Sequence, residues 1–209
     1  MKTFVFQGDS ITDADRNRGN DDYRGNGYPT LVAAKLGFER PGEFRFLNRG
    51  VSGDRVVDLN ARIKRGIINL KPDVLSILIG INDVWHELND NPNGVDNDKY
   101  FRTYCEILDE IKTACPDVRI FILEPFVLKA AATEDNWASF DRETRLRAQS
   151  ARRAAERYGC VFVPLQDKFD ALCAKAAPSY WLIDGVHPTA MGHQLIADAL
   201  IEAVKANLG

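Results

Sequence analysis

Five short apolar runs, separated by stretches of helical periodicity, limit what this chain can fold into. They are TFVFQ (3–7), FRFLNRG (44–50), DVLSILIG (73–80), VRIFILE (118–124) and CVFVPL (160–165). Three of them are near-continuous Val, Ile, Leu and Phe. A strand with one wet face alternates apolar and polar side chains, whereas an unbroken run suits a parallel strand covered on both faces. Amphipathic helices fall between the runs. Residues 99–114 place Tyr100, Phe101, Tyr104, Cys105, Leu108 and Ile111 on one stripe. Residues 189–206 do the same with Leu195, Ile196, Ala199, Leu200, Ala203 and Val204. Residues 141–158, rich in Arg, Ala and Glu, predict a helix with a narrower apolar side. This alternation predicts an α/β fold, a three-layer α/β/α sandwich around one five-stranded parallel sheet with right-handed crossovers. No repeat, low-complexity tract or linker divides the sequence, so a single domain over 1–209 is expected.

Ligands of such sheets bind beyond the carboxyl ends of the strands, and that is where the chemically unusual residues fall. Gly8-Asp9-Ser10 follows the first run and Asn48 to Arg55 the second. Gly80-Ile81-Asn82-Asp83 follows the third, and Asp184-Gly185-Val186-His187-Pro188 precedes the last helix. Two polar loops, 13–27 and 86–98, also leave strand ends and should line the rim of the same cleft. Ser10-Ile11-Thr12-Asp13 fits a helix-capping pattern, so Ser10 could cap a helix, act as a nucleophile on a tight turn, or do both. Acyl transfer by a serine needs an imidazole base, a carboxylate to orient it and donors aimed at an oxyanion. These four loops supply one set. The Asp184-x-x-His187 spacing can bring a carboxylate to Nδ1 and leave Nε2 facing another loop. Gly50, Gly53 and Gly80 allow close backbone approach, and Asn82 offers a neutral NH₂ donor. No GxSxG elbow occurs.

The GDS of 8–10, Gly53 within GVSGDR, GIND at 80–83 and DGVHP at 184–188 together resemble the four blocks of the SGNH (GDSL-type) hydrolases. The resemblance covers about 180 of the 209 residues, in order. It implies a flavodoxin-like sheet, with Ser10 as nucleophile, His187 as general base and acid, and Asp184 as its orienting carboxylate. It further implies an oxyanion hole built from the backbone N–H groups of Ser10 and Gly53 and the side chain of Asn82. Ile11 stands where many members have leucine. Within the superfamily, GINDVWHE and GVSGDRVVDL look most like bacterial carbohydrate acetylesterases, acetyl-xylan esterases among them. Some of those relatives carry an aromatic directly before the loop aspartate, where this chain has Ile183 with Trp181 two residues earlier.

The resemblance therefore implies a serine esterase that removes small acyl groups, acetyl above all, from carbohydrates. A longer-chain esterase, thioesterase or lysophospholipase is the same-chemistry alternative. A non-catalytic carbohydrate-binding scaffold is the different-class one. Asp9 and Asp83 are read as carboxylates that fix their loops by hydrogen bonds, with Trp85 and Trp181 at the substrate rim. Trp85 is the stronger candidate for a sugar platform, whereas His86 and His193 read as structural or solvated. The cluster Asp13-Ala14-Asp15-Arg16-Asn17 fails EF-hand spacing, since Arg18 and Arg24 occupy the positions of Gly and Glu. No His/Cys/Asp set has zinc spacing, so neither metal nor cofactor is expected.

A net charge of −3 with both signs interspersed gives no concentrated basic face, which argues against nucleic acid or anionic membrane as partner. The expected partner is a small-molecule or oligosaccharide ester, and nothing bars homo-oligomerisation. Cys105, Cys115, Cys160 and Cys173 show no CxxC spacing and read as reduced structural thiols. The opening MKTFVFQGDS is too short in its apolar run for a secretory leader. A cytoplasmic protein is the expectation, although a chain with its leader already cleaved would read the same.

Overall fold

A computed structural model describes residues 1–208; the expected domain limit at 209 lies one residue outside them. Strand β1 (Lys2–Gly8) leads into the one-turn helix α1 (Ser10–Asp13) and helix α2 (Tyr28–Glu39). Strand β2 (Phe44–Asn48) is followed by α3 (Val56–Ala61), α4 (Ile63–Gly66) and a 3₁₀ turn at Ile68–Leu70. Then come β3 (Val74–Leu78), α5 (Ile81–Trp85), α6 (Asn97–Ala114), β4 (Arg119–Leu123) and α7 (Trp137–Arg157). The chain continues through β5 (Val161–Val163), α8 (Gln166–Leu172), α9 (Pro178–Trp181) and α10 (Ala190–Asn207).

The five strands pair in parallel in the order β2-β1-β3-β4-β5, the flavodoxin-like arrangement expected. Alternate residues along each strand feed two cores. Phe4, Phe6, Phe46 and Phe121 face α2 and α10, and the rings of Phe4 and Phe6 stack at 4.6 Å. Val5, Leu47, Leu75, Ile77 and Ile122 face α3, α6 and α7. Burial on both sides is why these runs lack alternation. The order in which strands are added reverses at β1, since β2 lies on one side of it and β3 on the other. The ends of β1 and β3 therefore flank the crevice where doubly wound sheets bind ligands.

Two elements differ from expectation in extent. Helix α7 begins at Trp137 instead of residue 141, because Phe140 is buried against the edge of Trp85 and anchors an extra turn. Strand β5 has three residues instead of six. Pro164 has no N–H to donate, and the next two N–H groups, of Leu165 and Gln166, go to the Glu124 carboxylate at 2.6 and 2.9 Å. The four cysteines are free, and burial pushes their thiols up, Cys160 to about 11. They are protonated and unreactive near neutral pH.

Gly50 decides how closely the β2 exit can approach α1. A Cβ there would lie 2.3 Å from the Asp13 nitrogen and 2.7 Å from the Thr12 carbonyl carbon, both backbone atoms that cannot swing aside. The neighbouring Asn48 amide donates to the Thr12 carbonyl at 2.6 Å and to the Arg24 carbonyl at 2.9 Å. Gly50→Ala should cost about 1–3 kcal/mol in urea denaturation; an unchanged midpoint would mean that α1 is not packed as described.

Candidate active site

The β1 strand ends at Gly8, and Asp9 turns the chain into α1. Asp9, and not Ser10, is the N-cap: its Oδ1 accepts the Ile11 N–H at 3.0 Å. This corrects the capping pattern read from Ser10-x-x-Asp13. The side chain one residue earlier is already in the capping position, so the Ser10 hydroxyl is free for another partner. That partner is His187, whose Nε2 lies 3.0 Å from Ser10 Oγ. On the other side of the ring, Nδ1 lies 2.7 Å from Asp184 Oδ2. With Asp184 accepting the Nδ1 proton, the Nε2 lone pair faces the serine.

The loop that carries Asp184 and His187 is held at both ends. Leu182 bridges Pro188, and the Ile183 N–H donates to the His187 carbonyl at 2.9 Å. Inside this turn, Asp184 Oδ1 accepts the N–H groups of Val186 and His187 at 2.9 and 2.7 Å. Gly185 adopts φ +98°, and a Cβ there would meet the Leu128 carbonyl at 2.5 Å. The neighbouring 128–132 segment donates back, through the N–H of Leu128 to Gly185 and of Ala132 to Asp184. Burial alone would raise the Asp184 carboxyl, but the bond from His187 and the two backbone donors outweigh it and bring it to about 2. The same bond, against partial desolvation, raises His187 above its ordinary value.

Asn82 lies on α5, buried, and its Nδ2 donates to the Asp54 carbonyl at 3.1 Å. That bond ties the end of β3 to the turn holding Gly53. Gly53 has φ +86° with open space where a Cβ would project, so backbone conformation alone explains glycine there. Among the described residues, the N–H groups of Ser10 and Gly53 donate to no protein acceptor. Asp83, fully buried, accepts the Val56 N–H with both oxygens at 3.1 and 3.2 Å and so joins α5 to the start of α3. Burial pushes its carboxyl well up, against the Val56 bond.

The aromatic candidates separate. Trp85 stands 5.9 Å from the His187 ring and 6.1 Å from Phe140, beside the histidine and on the core. Trp181 donates its indole N–H to the Leu172 carbonyl and packs partly buried on the core under α10. Ile183, immediately before Asp184, is the side chain turned to solvent, at 65% exposure. His86 is half-buried near Arg55, and burial lowers its pKa.

His193 is the residue that sequence reasoning undervalued. It is buried, and Nδ1 accepts the Tyr28 N–H at 3.2 Å, which leaves the proton on Nε2. Burial, then the proximity of His187, lowers its pKa to about 4. With Ser10, Ala14, Asp15, Ser52 and His187 it lines a cavity of about 240 Å³. Gly27 makes room for it: a Cβ there would sit 2.9 Å from the His193 ring. A larger groove of about 650 Å³ lies before the amino ends of β3 and β4, between Lys71 and Cys115, away from these groups.

The arrangement is suited to nucleophilic attack by a serine on an ester. The chain belongs to the GDSL-like lipase/acylhydrolase family, whose model matches residues 6–195. It is a carboxylic ester hydrolase. An acetylxylan esterase from Geobacillus stearothermophilus is 33% identical over 210 residues, covering 96% of this chain and 92% of that protein. The crystal structure of that organism's acetylxylan esterase superposes with a TM-score of 0.86 at 31% identity, covering 97% and 94% of the two chains. A protein described as a GDSL-like lipase from Parabacteroides merdae superposes with a TM-score of 0.92 at 35% identity, covering 98% and 95%.

Asp9 carries a separate consequence. Its Oδ2 is buried without a hydrogen-bond partner. Burial, opposed by the Ile11 N–H and the charge of His187, raises the carboxyl from an ordinary 3.8 to about 7. The folded protein therefore holds this proton more tightly than the unfolded chain. The associated stability, on the order of 4 kcal/mol, is fully present below the ordinary carboxylate value and lost as pH rises through about 7. Asp9→Asn cannot ionise, so its urea stability should gain on wild type from about pH 5 to about pH 8. A difference that stays constant across that range would show that Asp9 is already ionised in the fold.

Proposed function

We propose that this esterase removes acetyl groups from carbohydrates through Ser10, His187 and Asp184. The Ser10 Oγ–His187 Nε2–Asp184 chain of hydrogen bonds, at 3.0 and 2.7 Å, carries the reading. Ser10 Oγ attacks the ester carbonyl while Nε2 takes its proton, and Asp184 stabilises the imidazolium that forms. The negative charge moves to the carbonyl oxygen, for which the free N–H groups of Ser10 and Gly53 and the Asn82 amide are the proposed donors. Collapse expels the sugar oxygen, which receives the proton from Nε2. Water, deprotonated by the same nitrogen, then attacks the acetyl-enzyme and releases acetate with Ser10 restored.

The likeness to an acetylxylan esterase supports acetyl as the acyl group and a xylan-type saccharide as the alcohol. Two solved forms of that relative, with a serine and an aspartate replaced by alanine, are described as catalytic mutants. The small cavity beside Ser10, about 240 Å³, favours a short acyl group; drug-sized ligands occupy roughly 300–1,000 Å³.

Hydrolysis of p-nitrophenyl acetate should exceed that of the octanoate ester; a clear octanoate preference would overturn the acetyl assignment. Ser10→Ala should lose about 10⁴-fold or more in kcat, and Asn82→Ala about 10²–10³-fold. Full activity in Ser10→Ala would end the mechanism.

The pH profile carries its own expectation. The base must be neutral, and His187 is raised by Asp184. The acid limb of kcat/KM should therefore lie above the ordinary imidazole value of about 6.5. Asp184→Asn should move that limb to lower pH and cut kcat on the order of 10³–10⁴-fold. An unmoved limb would assign the titration to another group.

A further inference from the structure

Five arginines, Arg16, Arg18, Arg49, Arg62 and Arg65, line one cavity of about 360 Å³. It lies against the candidate active site. Asp15 and Ser52 line the Ser10 cavity, while their chain neighbours Arg16 and Val51 line this one. One carboxylate bridges the two: Asp13 Oδ2 accepts the Ser52 N–H at 3.2 Å and Arg18 Nη2 at 3.3 Å. Arg62 forms part of the wall and donates Nη2 to the Gly8 carbonyl at 3.2 Å, two residues before Ser10.

The charges in this cavity do not cancel. Arg18 pairs with Asp13, Arg49 with Asp21 and Arg62 with Asp54. Among the described residues, Arg16 and Arg65 have no carboxylate within salt-bridge distance. Arg16 uses Nε on the Gly50 carbonyl at 2.8 Å, and among the described residues its two terminal nitrogens donate to no protein group. Burial, opposed by Asp13 and reinforced by Arg18, Arg49 and Arg62, pulls its pKa below the ordinary guanidinium value. Guanidinium forks suit planar or tetrahedral oxyanions, which can take two parallel hydrogen bonds. A cavity in which five guanidinium groups meet only three paired carboxylates is favourable for an anion of that kind.

We propose that this arginine cavity is a substrate subsite for an oxyanion, carboxylate or phosphate, borne by the saccharide whose ester Ser10 cleaves. The proposal rests on the serine-esterase reading for its substrate and names that substrate as acidic. A uronate branch and a sugar phosphate share the chemistry, and the ligands below distinguish them.

Binding of glucuronate, glucose 6-phosphate, inorganic phosphate and glucose to the wild-type protein would be titrated calorimetrically in low-salt buffer. At least one sugar acid should bind more tightly than glucose by about 10-fold or more, and weaken with added salt. Tighter glucuronate assigns the cavity to a carboxylate, and tighter glucose 6-phosphate to a phosphate. Binding of inorganic phosphate alone, or of glucose equally well, would overturn the proposal. Arg65→Gln replaces an exposed side chain that, among the described residues, makes no protein hydrogen bond, so it should fold and weaken the preferred sugar acid about 10-fold. Arg16→Gln should do the same, and unchanged affinity in both variants would sink the assignment. In turnover, wild type should show a lower KM for an acetylated xylo-oligosaccharide carrying the preferred acid than for its neutral counterpart, a difference erased in Arg65→Gln. Equal KM values in wild type would refute the subsite. Hydrolysis of p-nitrophenyl acetate by the same preparation separates the two failures. Its absence overturns the serine mechanism while anion binding still decides the cavity; its presence without sugar-acid binding overturns the subsite alone.

Discussion

Asp9 lies inside the protein, at 1% exposure, and gives one carboxylate oxygen to the Ile11 N–H, so the orientation of Ser10 follows from it. A helix of four residues has no stability of its own. Here α1 is held by that cap, by the Asn48 amide on its last carbonyls and by the close approach of Gly50 to Asp13. With Asp9 in the capping position, Ser10 becomes the first helical residue and its hydroxyl turns to His187. Had Ser10 been the cap, its side-chain oxygen would have been turned toward the backbone N–H groups of its own helix.

The same logic of one group holding another runs through the other three loops. Asp184 accepts two backbone donors with one oxygen and His187 with the other, so neither lone-pair set is free to draw the carboxylate away. Asp83 holds Val56, and Asn82 holds Asp54, so α5 clamps the chain immediately after Gly53 at two points. Sub-ångström placement of reacting groups needs such supporting bonds, because side chains on unsupported loops wander. Parallel strands supply the base for three of the four, since the loops after β1, β2 and β3 leave the sheet at the same carboxyl end.

The sheet was legible because its strands are buried on both faces: Val74–Leu78 and Arg119–Leu123 read as strands from composition alone. Loop ends and caps were less so. The short helices α3 and α5 have too few residues for a periodic signal, and the Asp9 cap could not be told from a Ser10 cap by pattern. His193 was hidden for a different reason. It is on α10, far in sequence from Tyr28, and only packing of α10 on α2 brings Nδ1 to the Tyr28 N–H. The arginine cavity is likewise a product of topology, gathering residues from the α1 exit, the β2 exit and α4. The short basic stretches at 16–18 and 62–65 do not by themselves announce it, because only the fold brings them together.

Three carboxylates of the strand-end and His187 loops have environments that drive them apart. Asp184, with three donors, is ionised at any working pH, at about 2. Asp9, buried with one donor, is raised to about 7, and Asp83, buried too, is raised well above its ordinary value. Separation of this kind sorts roles among chemically identical groups. An ionised Asp9 would add a second negative charge near His187, lift the imidazole further and keep it protonated when it has to accept a proton from Ser10. Desolvation delays the ionisation of Asp9, so its charge joins that of Asp184 on the histidine only as pH rises through about 7. Asp9 and His187 are thus coupled, each favouring the charged form of the other.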